Sequence, residues 1–390
     1  PSVAERLAEV EKVLFPMAEY EPYSDANIGK AGVATIVYKW GQHFDSNVII
    51  YDYLMQRGLP EEKYVKAIAE KGGIIYTMPL GSHSAFSIIK WVEDIVRTNN
   101  YEIIHINSDS AYVAAAYIYA AKRGGIKKIY VHSHCTKIDD SNVLRRTFKT
   151  IAHKICVQYV CHNTNRYLAC SKLAGTWMFG KKNVSTHKYC TIYNGVEVQK
   201  YIFDETVRKI YRKELGIENH LVIGNIGRLS YQKNQSFLLD IFKEYYKRNP
   251  KSVMVLVGDG DQRKNLEQKA VLLGLQEAVK FLGLRGDVPQ LLWAFDVMVM
   301  PSKFEGLPVT MVEAQMADLP CVVSSAITLE ADFSGMVEYV SLNDEYKWLE
   351  AIENTKCHKR NSNVEEKKHS VFNIANAAKA LGNILISEEM

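Results

Sequence analysis

Short apolar runs, each followed by a stretch of helical period, alternate along most of this chain. In the first half the pattern predicts helices over residues 32–43, 85–99 and 111–123, and strands near 12–17, 48–54, 74–78, 102–106 and 128–132. Short strands separated by helices of about ten to fifteen residues form a parallel sheet that helices cover on both faces. The pattern therefore predicts an α/β fold of the doubly wound type.

The alternation restarts after a turn signal at Tyr193-Asn194-Gly195-Val196. Predicted helices here cover 234–248, 262–273, 288–295 and 308–316, and predicted strands cover 220–226, 252–258, 279–282, 297–300, 321–324 and 337–340. A chain of 390 residues exceeds what one hydrophobic core usually serves. We therefore predict two doubly wound, Rossmann-like domains, 1–195 and 196–370, with a ligand site in the cleft between them. Residues 371–390 are predicted to form a helix that packs back on the first domain, and residues 1–11 read either as an extra amphipathic helix or as a remnant that is not native to the protein.

Composition excludes several classes of protein. Apolar residues make up 47% of the chain and charged residues 24%, which is typical of a folded globular protein. The longest near-apolar stretch, 111–121, is too short to cross a bilayer, and no basic-then-apolar leader opens the sequence. Seven cysteines without a C-x-x-C pair suggest neither a disulfide framework nor a zinc site. We therefore expect a reducing, cytoplasmic environment.

In an open α/β sheet, ligands bind beyond the carboxyl ends of the strands, so the loops there carry the chemistry. The loop after residue 226 holds Gly227, Arg228 and Lys233 and opens a helix. Two cations at a helix amino end suit a phosphate or diphosphate. A capped helix with solvated cations is the structural alternative. Gly258, after another predicted strand, permits close backbone approach to a ligand, and Leu284 lies in a loop that could border a planar base or be an ordinary turn.

The segment 301–315 (PSKFEGLPVTMVEAQ) follows another predicted strand. Its proline at the helix start and its flexible Gly306-Leu307 backbone predict an anion cradle. Glu305 precedes this helix and Glu313 lies roughly one and a half turns into it. Carboxylates so separated suit two hydroxyl-bearing groups on either side of a diphosphate, such as a sugar and a ribose. The alternative is a dipole partner at Glu305 and a solvated helix residue at Glu313.

These motifs, in this order, resemble one family. Gly227-Arg228 with Lys233, then Gly258-Asp259-Gly260, Phe281-Leu282-Gly283 and Phe304-Glu305-Gly306-Leu307-Pro308 with Glu313, look like the retaining glycosyltransferases of family four. These are two-domain nucleotide-sugar enzymes of the B fold. The segments 131–134, 168–171 and 231–234 look most like bacterial capsule and exopolysaccharide enzymes.

The resemblance implies a role for each candidate residue. Arg228 and Lys233 would hold the donor diphosphate, and Glu313 would take the ribose diol. His134, or alternatively His132, would face the sugar from the first domain. The other implied donor contacts are Glu305, Gly306 and Leu307 at the sugar and phosphate, Leu284 at the base, and Gly227, Gly258 and Gly32 in the glycine-rich loops.

The resemblance also implies the chemistry. The first domain would bind the acceptor and the second the nucleotide sugar, most simply a UDP-sugar. The sugar would move with its anomeric configuration kept, by a front-face reaction in which the departing phosphate helps to deprotonate the incoming hydroxyl. No D-x-D motif lies near the donor loops, so we expect the cations at 228 and 233 to replace a metal, with no cofactor. One departure is Gly29-Lys30-Ala31-Gly32, where alanine replaces the first of two adjacent glycines usual in the family.

The basic charge is concentrated in residues 121–200, which hold fifteen Lys and Arg against three acids. The segment 142–161 places Leu144, Phe148, Ile151 and Ile155 on one helical face, with basic residues elsewhere around the helix. This is a helix for an anionic membrane interface or a core helix with a solvated basic face. The resemblance favours the first, with a lipid-linked glycan acceptor and attachment at the inner face of the plasma membrane. Arg145 and Arg146 are therefore acceptor-side candidates, and nucleic acid is a poorer partner because no recognition motif accompanies the charge.

Two other functions stay open at this point. A nucleotide-sugar epimerase on the same fold would need an acid/base pair that the sequence does not assign. A non-catalytic nucleotide-sugar-binding subunit would keep the fold without turnover.

Overall fold

A computed structural model describes residues 11–17, 32–55, 60–78, 84–360, 367 and 369–387. The chain divides into two compact units. The first contains the chain up to residue 138, residues 142–195 and the chain from 374 onward, and the second contains 139–141 and 196–373. The short segment 139–141 thus belongs to the second unit, although it falls inside the predicted first domain.

The first unit is built on a parallel sheet of seven strands in the order β3-β2-β1-β4-β5-β6-β7. Its strand order reverses between β1 and β4, the topological switch point of a doubly wound sheet. The strands are β1 (Glu11–Met17), β2 (Ile49–Met55), β3 (Ile75–Thr77), β4 (Ile103–Ser108), β5 (Lys128–Ser133), β6 (Arg166–Ala169) and β7 (Tyr189–Thr191).

Helices cover this sheet because their apolar residues recur at helical spacing. They are α1 (Gly32–His43), α2 (Glu62–Glu70), α3 (Ala85–Asn99), α4 (Ala111–Gly124), α5 (Val143–Asn163), α6 (Lys172–Asn183) and, at the end of the chain, α13 (Ile374–Ile386). Local signals set their limits: the Asn142 side chain accepts a hydrogen bond from the Arg145 backbone N–H at the start of α5, and Gly125 ends α4 with a φ of 102°. Helix α13 packs against α1 within this unit.

The second unit has a parallel sheet of six strands in the order β10-β9-β8-β11-β12-β13. Its strand order reverses between β8 and β11, which are direct neighbours. The strands are β8 (Leu221–Ile226), β9 (Ser252–Val257), β10 (Val279–Gly283), β11 (Val297–Met300), β12 (Cys321–Ser324) and β13 (Val337–Val340).

The helices of this unit enclose a core that includes Phe242, Met254, Val299 and Trp348, all fully or almost fully buried. They are α7 (Glu205–Glu214), α8 (Gln235–Arg248), α9 (Arg263–Leu272), α10 (Val288–Ala294), α11 (Val309–Met316) and α12 (Glu345–Asn354), with 3-10 turns at Val198–Tyr201, Leu329–Ala331 and Thr355–Cys357.

The predicted fold class is confirmed: both halves are doubly wound parallel sheets. Sequence reasoning missed α2, α6, α7, α12 and the short strands β6 and β7. The glycine-rich segment 29–31 and the extra helix proposed for the first residues lie outside the described residues, apart from Glu11, which begins β1. Among the residues described, no helix combines the length and apolarity that a membrane span requires.

Candidate functional site

Two loops flank the switch point of the second sheet. Strands β8 and β11 pair directly, so the loop 227–234 after β8 and the loop 301–308 after β11 start side by side at the same edge. Ligands of open α/β sheets bind at this position because neighbouring loops diverge there and leave a crevice. The predicted donor residues of both loops are therefore brought together by the topology of the sheet.

Glycines allow the loop after β8 to pack backbone to backbone against the loop after β9. Gly258 has a φ of +129°, and a Cβ there would lie 2.1 Å from the Gly227 carbonyl oxygen. A Cβ on Gly260 would lie 2.3 Å from the Leu229 oxygen. The Leu229 N–H donates to the Asp259 oxygen across this contact (2.9 Å). These glycines thus fix the course of the loop that carries Arg228, since no larger residue fits.

Arg228 is paired with a carboxylate from a distant part of the sequence. Its Nη2 lies 2.7 Å from Asp139 Oδ2, and the Gln232 backbone N–H donates to Asp139 Oδ1 (3.0 Å). The Asp139 side chain is 12% exposed. Burial raises the pKa of Asp139, although Arg228 and the hydrogen bond from the Gln232 N–H act in the opposite direction.

Lys233 and Glu305 join the two loops. The Lys233 Nζ lies 2.7 Å from Glu305 Oε1, and the Gln232 Nε2 donates to Glu305 Oε2 (3.1 Å) and to the Phe304 carbonyl (3.0 Å). Glu305 is buried. Its carboxylate therefore anchors the loop after β8 to the loop after β11.

Glu313 lies inside α11, half-buried, and accepts a hydrogen bond from the Tyr201 hydroxyl (2.5 Å). Tyr201 is itself buried, and burial together with the Glu313 carboxylate raises the pKa of its hydroxyl. Glu313 is thus not the solvated helix residue of the alternative interpretation. A carboxylate held in place by a tyrosine is suited to bind a diol.

The other predicted donor residues lie around the same loops, with one exception. Gly306 and Leu307 are buried in the loop that leads to α11, and Leu284 is 63% exposed just after β10. The exception is Gly32, the first residue of α1, which belongs to the first unit, and a Cβ there would meet no atom within 4 Å.

In the first unit, the two candidate histidines lie at the end of β5 in a stack of aromatic rings. The His132 and His134 rings are 4.4 Å apart, and Trp40 stacks on His132 at 5.2 Å. His134 Nε2 lies 2.6 Å from Asn107 Oδ1. Because an amide oxygen can only accept, Nε2 carries the proton of the neutral ring. His105 extends the cluster through its Nε2, 3.2 Å from His132 Nδ1.

These histidines are neutral at physiological pH. Burial lowers the pKa of His105 and of His134 to about 3, and burial lowers the pKa of His132 well below its usual value. The positive charge of neighbouring histidines would add to this effect at His105 and His132. A neutral His134 can orient or accept a hydrogen bond, but it does not supply a positive charge.

Helix α5 turns its apolar row toward solvent, which tests the core-helix interpretation of the basic segment. Leu144 is 82% exposed, Phe148 73%, Ile151 52% and Ile155 72%. The face packed on the unit is instead formed by residues such as His153 and Val160, both buried. The core-helix alternative is therefore wrong. Arg145 is exposed and Arg146 half-buried on the same helix.

Sequence reasoning missed the residues that hold the candidates in place. These are Asp139, Gln232, Tyr201 and Asn107. Gln232 stands beside Lys233 and could have been suspected from its place in the loop. No sequence motif identified the other three residues, because the hydrogen-bond partner of each one is distant along the chain or lies after a different strand.

Two doubly wound parallel-sheet units of this kind define the B fold of glycosyltransferases. The model of the family described as Glycosyltransferase Family 4 matches residues 31–200, and the model described as Glycosyl transferases group 1 matches residues 207–337. Together they cover most of the chain. The chain therefore belongs to the glycosyltransferases that combine these two domains, and it is a transferase of that class.

Individual relatives agree with this assignment. A provisionally assigned glycosyltransferase, EpsF of Bacillus subtilis (strain 168), is 27% identical over 84% of this chain and 85% of its own. The UDP-Gal:alpha-D-GlcNAc-diphosphoundecaprenol alpha-1,3-galactosyltransferase of Escherichia coli is 28% identical over 66% of this chain and 67% of its own. The crystal structure of Anabaena HepE in complex with UDP superposes with a TM-score of 0.68 at 19% identity, over 97% of this chain and 96% of that one, which shows the shared fold.

Proposed function

We propose that this chain is a retaining, metal-independent glycosyltransferase that moves a hexose or N-acetylhexosamine from a UDP-sugar to a lipid-linked glycan during surface polysaccharide synthesis. The observation that supports the proposal is the pairing of β8 with β11, because the loop that carries Arg228 and Lys233 then starts beside the loop that leads into α11. Cations and helix-end amides at one crevice suit a diphosphate.

The donor contacts follow from this placement. Arg228 and Lys233 would hold the diphosphate and offset the charge that develops on the leaving group. Glu313, held by Tyr201, would bind the ribose diol. Glu305 already accepts hydrogen bonds from Lys233 and Gln232. Its main contribution to sugar binding would therefore be to hold the loops after β8 and β11 in position. No cofactor is part of the proposal.

The proposed retention of configuration rests on the resemblance to the retaining family, and the carboxylates bear only on the route by which it is reached. A double displacement needs a carboxylate nucleophile poised at the anomeric carbon. Glu305 and Glu313 are each engaged with a neighbouring side chain of their own unit, which suits binding rather than attack. We therefore propose a front-face reaction, in which the departing phosphate deprotonates the acceptor hydroxyl. The neutral His134 would orient a sugar hydroxyl without charging.

The acceptor side of the proposal rests on α5. An exposed apolar row on a helix that also carries Arg145, Arg146, Lys149 and Lys154 suits an anionic membrane interface. The E. coli relative acts on a GlcNAc-diphosphoundecaprenol acceptor. A lipid-linked acceptor at the inner face of the plasma membrane would bring substrate and helix to the same surface.

The test is a transfer assay with a panel of UDP-, GDP- and ADP-sugars and membrane lipid extracts as acceptor, in which nucleotide release and the product anomer are measured by NMR. We expect UDP release from a UDP-sugar, an α product from an α donor, and full activity in EDTA. Lys233→Ala should lower transfer by about a hundredfold, a loss of about 2.7 kcal/mol of transition-state stabilisation, and Glu313→Ala should lower it by about tenfold. The exposed Lys264 on α9 offers a matched control, and Lys264→Ala should leave transfer unchanged.

Near-normal transfer by both Lys233→Ala and Glu313→Ala would show that the donor site is elsewhere. An inverted product anomer would overturn the stereochemical part of the proposal. Donor binding without turnover on any acceptor would favour a non-catalytic binding subunit.

A further inference from the structure

The loop after β8 already holds an anion that belongs to the chain itself. The Asp139 carboxylate takes one hydrogen bond from the Arg228 guanidinium (2.7 Å) and one from the Gln232 backbone N–H (3.0 Å). A cationic side chain and a backbone N–H of one loop are the groups that bind a phosphate oxygen. Asp139 therefore occupies the anion-binding groups of the site.

This carboxylate reaches the loop from outside the elements that build it. Asp139 follows β5 and precedes α5 in the sequence, yet the segment 139–141 belongs to the compact unit that contains β8 and α8. Its contacts with Arg228 and Gln232 lie 89 and 93 residues away along the chain. The segment is thus an insertion into the second unit that ends on the candidate donor loop.

The pair is poorly stabilised for a buried one. Asp139 is 12% exposed and Arg228 34% exposed. Burial outweighs the attraction of Arg228 and keeps the pKa of Asp139 raised, with the Asp261 carboxylate adding a smaller repulsion. A carboxylate held at a net electrostatic cost is one that a stronger anion can displace, because a diphosphate carries more charge on more acceptor oxygens.

We propose that Asp139 is an internal competitor for the donor diphosphate, which must displace it from Arg228 and from the Gln232 amide in order to bind. The inference rests on the proposed function, since it gives the site a regulatory residue. Asp139 would thus lower the affinity of the site for its donor. Every binding event breaks the Asp139–Arg228 pair, and the free energy needed to break it is subtracted from the measured binding free energy.

The experiment is calorimetry with inorganic pyrophosphate as the probe, at one pH near 7.5 and one ionic strength, on the full chain. Asp139→Asn keeps the size of the side chain and removes its charge. Asp140→Asn makes the same charge change one residue away and is the matched control. We expect Asp139→Asn to bind pyrophosphate about tenfold more tightly than the wild type, because the anion no longer has to displace a carboxylate from Arg228 and the Gln232 amide. Asp140→Asn should stay within about twofold.

A dissociation constant for Asp139→Asn that equals or exceeds that of the wild type contradicts the proposal that Asp139 competes with the diphosphate. The larger value would identify Asp139 as a residue that orients Arg228 for the donor. Absence of pyrophosphate binding in every variant overturns it as well, whereas binding seen only with Asp139→Asn supports it.

A second measurement does not depend on the variant. In a crystal structure of the wild type with UDP, Arg228 should contact a phosphate oxygen and Asp139 should lie beyond hydrogen-bond distance of it, and an intact Asp139–Arg228 pair beside bound UDP contradicts the proposal. Failure of the proposed function gives a different result. Then no sugar nucleotide is turned over by any variant, while the pyrophosphate comparison still shows whether Asp139 competes with an anion.

Discussion

Lys233 and Glu305 form a largely buried ion pair that joins the loops after β8 and β11, with 2.7 Å between Nζ and Oε1 and side-chain exposures of 17% and 7%. Such a pair is costly to break from one side, because the remaining charge is left buried.

The first prediction concerns this pair. Lys233→Met should lower the free energy of unfolding of the second unit by about 3 kcal/mol, because Glu305 keeps its burial and loses its cation. Adding Glu305→Gln to Lys233→Met should restore much of that loss, since the buried charge is gone. Urea unfolding followed by intrinsic fluorescence measures the free energy of unfolding of both variants. A Lys233→Met variant as stable as the wild type would contradict the prediction.

The second prediction concerns Glu313 and the ribose. Glu313→Ala should raise the KM for a UDP-sugar about tenfold, since a hydrogen bond to a charged group contributes about 1.5 kcal/mol or more. The 2′-deoxyribose analogue of the donor separates binding of the diol from a structural effect. Wild type should discriminate strongly against the analogue, and Glu313→Ala should not. Equal discrimination by both would place the ribose elsewhere.

The third prediction concerns acid stability. The pKa of His105 and of His134 is about 3 in the folded chain, below the ordinary value of 6.5, so the unfolded state binds protons first as pH falls. Stability should therefore be complete above pH 6.5 and be lost between pH 6.5 and about 3, by about 1.4 kcal/mol per pH unit for each histidine. His105→Gln should flatten this slope, and His187→Gln, at an exposed position, should not. Urea unfolding at a series of pH values measures it, and identical slopes for wild type and His105→Gln would contradict it.

The fourth prediction concerns the apolar row of α5. The double variant Phe148→Ser/Ile155→Ser should reduce binding to vesicles of anionic lipid at least tenfold, because each side chain adds about 1.5 kcal/mol or more when it leaves water. Its thermal stability should change little, since both side chains are already exposed. Leu272, 86% exposed on α9, gives the control Leu272→Ser, which should bind vesicles as the wild type does. Vesicle sedimentation measures the bound fraction of each variant. Unchanged binding of the double variant would mean that another surface contacts the membrane.

The fifth prediction concerns the loop contact at Gly258. Gly258→Ala should destabilise the second unit by at least about 3 kcal/mol, because it combines a φ of +129° with a Cβ placed 2.1 Å from the Gly227 oxygen. Gly286→Ala, where a Cβ would meet nothing within 4 Å, should be nearly neutral. Thermal denaturation compares the two, and a Gly258→Ala variant as stable as Gly286→Ala would show that the loops separate easily.

Much of the fold was accessible from the sequence because strands such as β8 and β11 are short apolar runs bounded by turns. Their loops could then be placed at one edge of a parallel sheet, which located Arg228, Lys233 and Glu305. The strands β6 and β7 were missed because runs of four and three residues carry little periodicity, and β3, equally short, was found only because apolar residues flank it at Ile74 and Met78.

What lay beyond the sequence was the pairing of side chains. Tyr201 meets Glu313 across 112 residues and Asp139 meets Arg228 across 89. Such contacts follow from how the helices and loops pack in three dimensions, and no spacing along the chain encodes them. The exposure of the apolar row on α5 could not be predicted either, because periodicity defines an apolar face of a helix but not whether another element covers that face.

The helix that packs on α1 leaves the ribosome only after residues 196–373 of the second unit. Helix α13 buries Ile374, Ala378, Leu381 and Leu385 in the unit that otherwise ends at residue 195, and its Gly382 lies close to Phe44. Domains commonly fold in order as they are translated, but here the amino-terminal unit stays incomplete until nearly all of the carboxy-terminal one has been made. A premature stop codon shortly before residue 374 would therefore damage the half of the protein that was translated first.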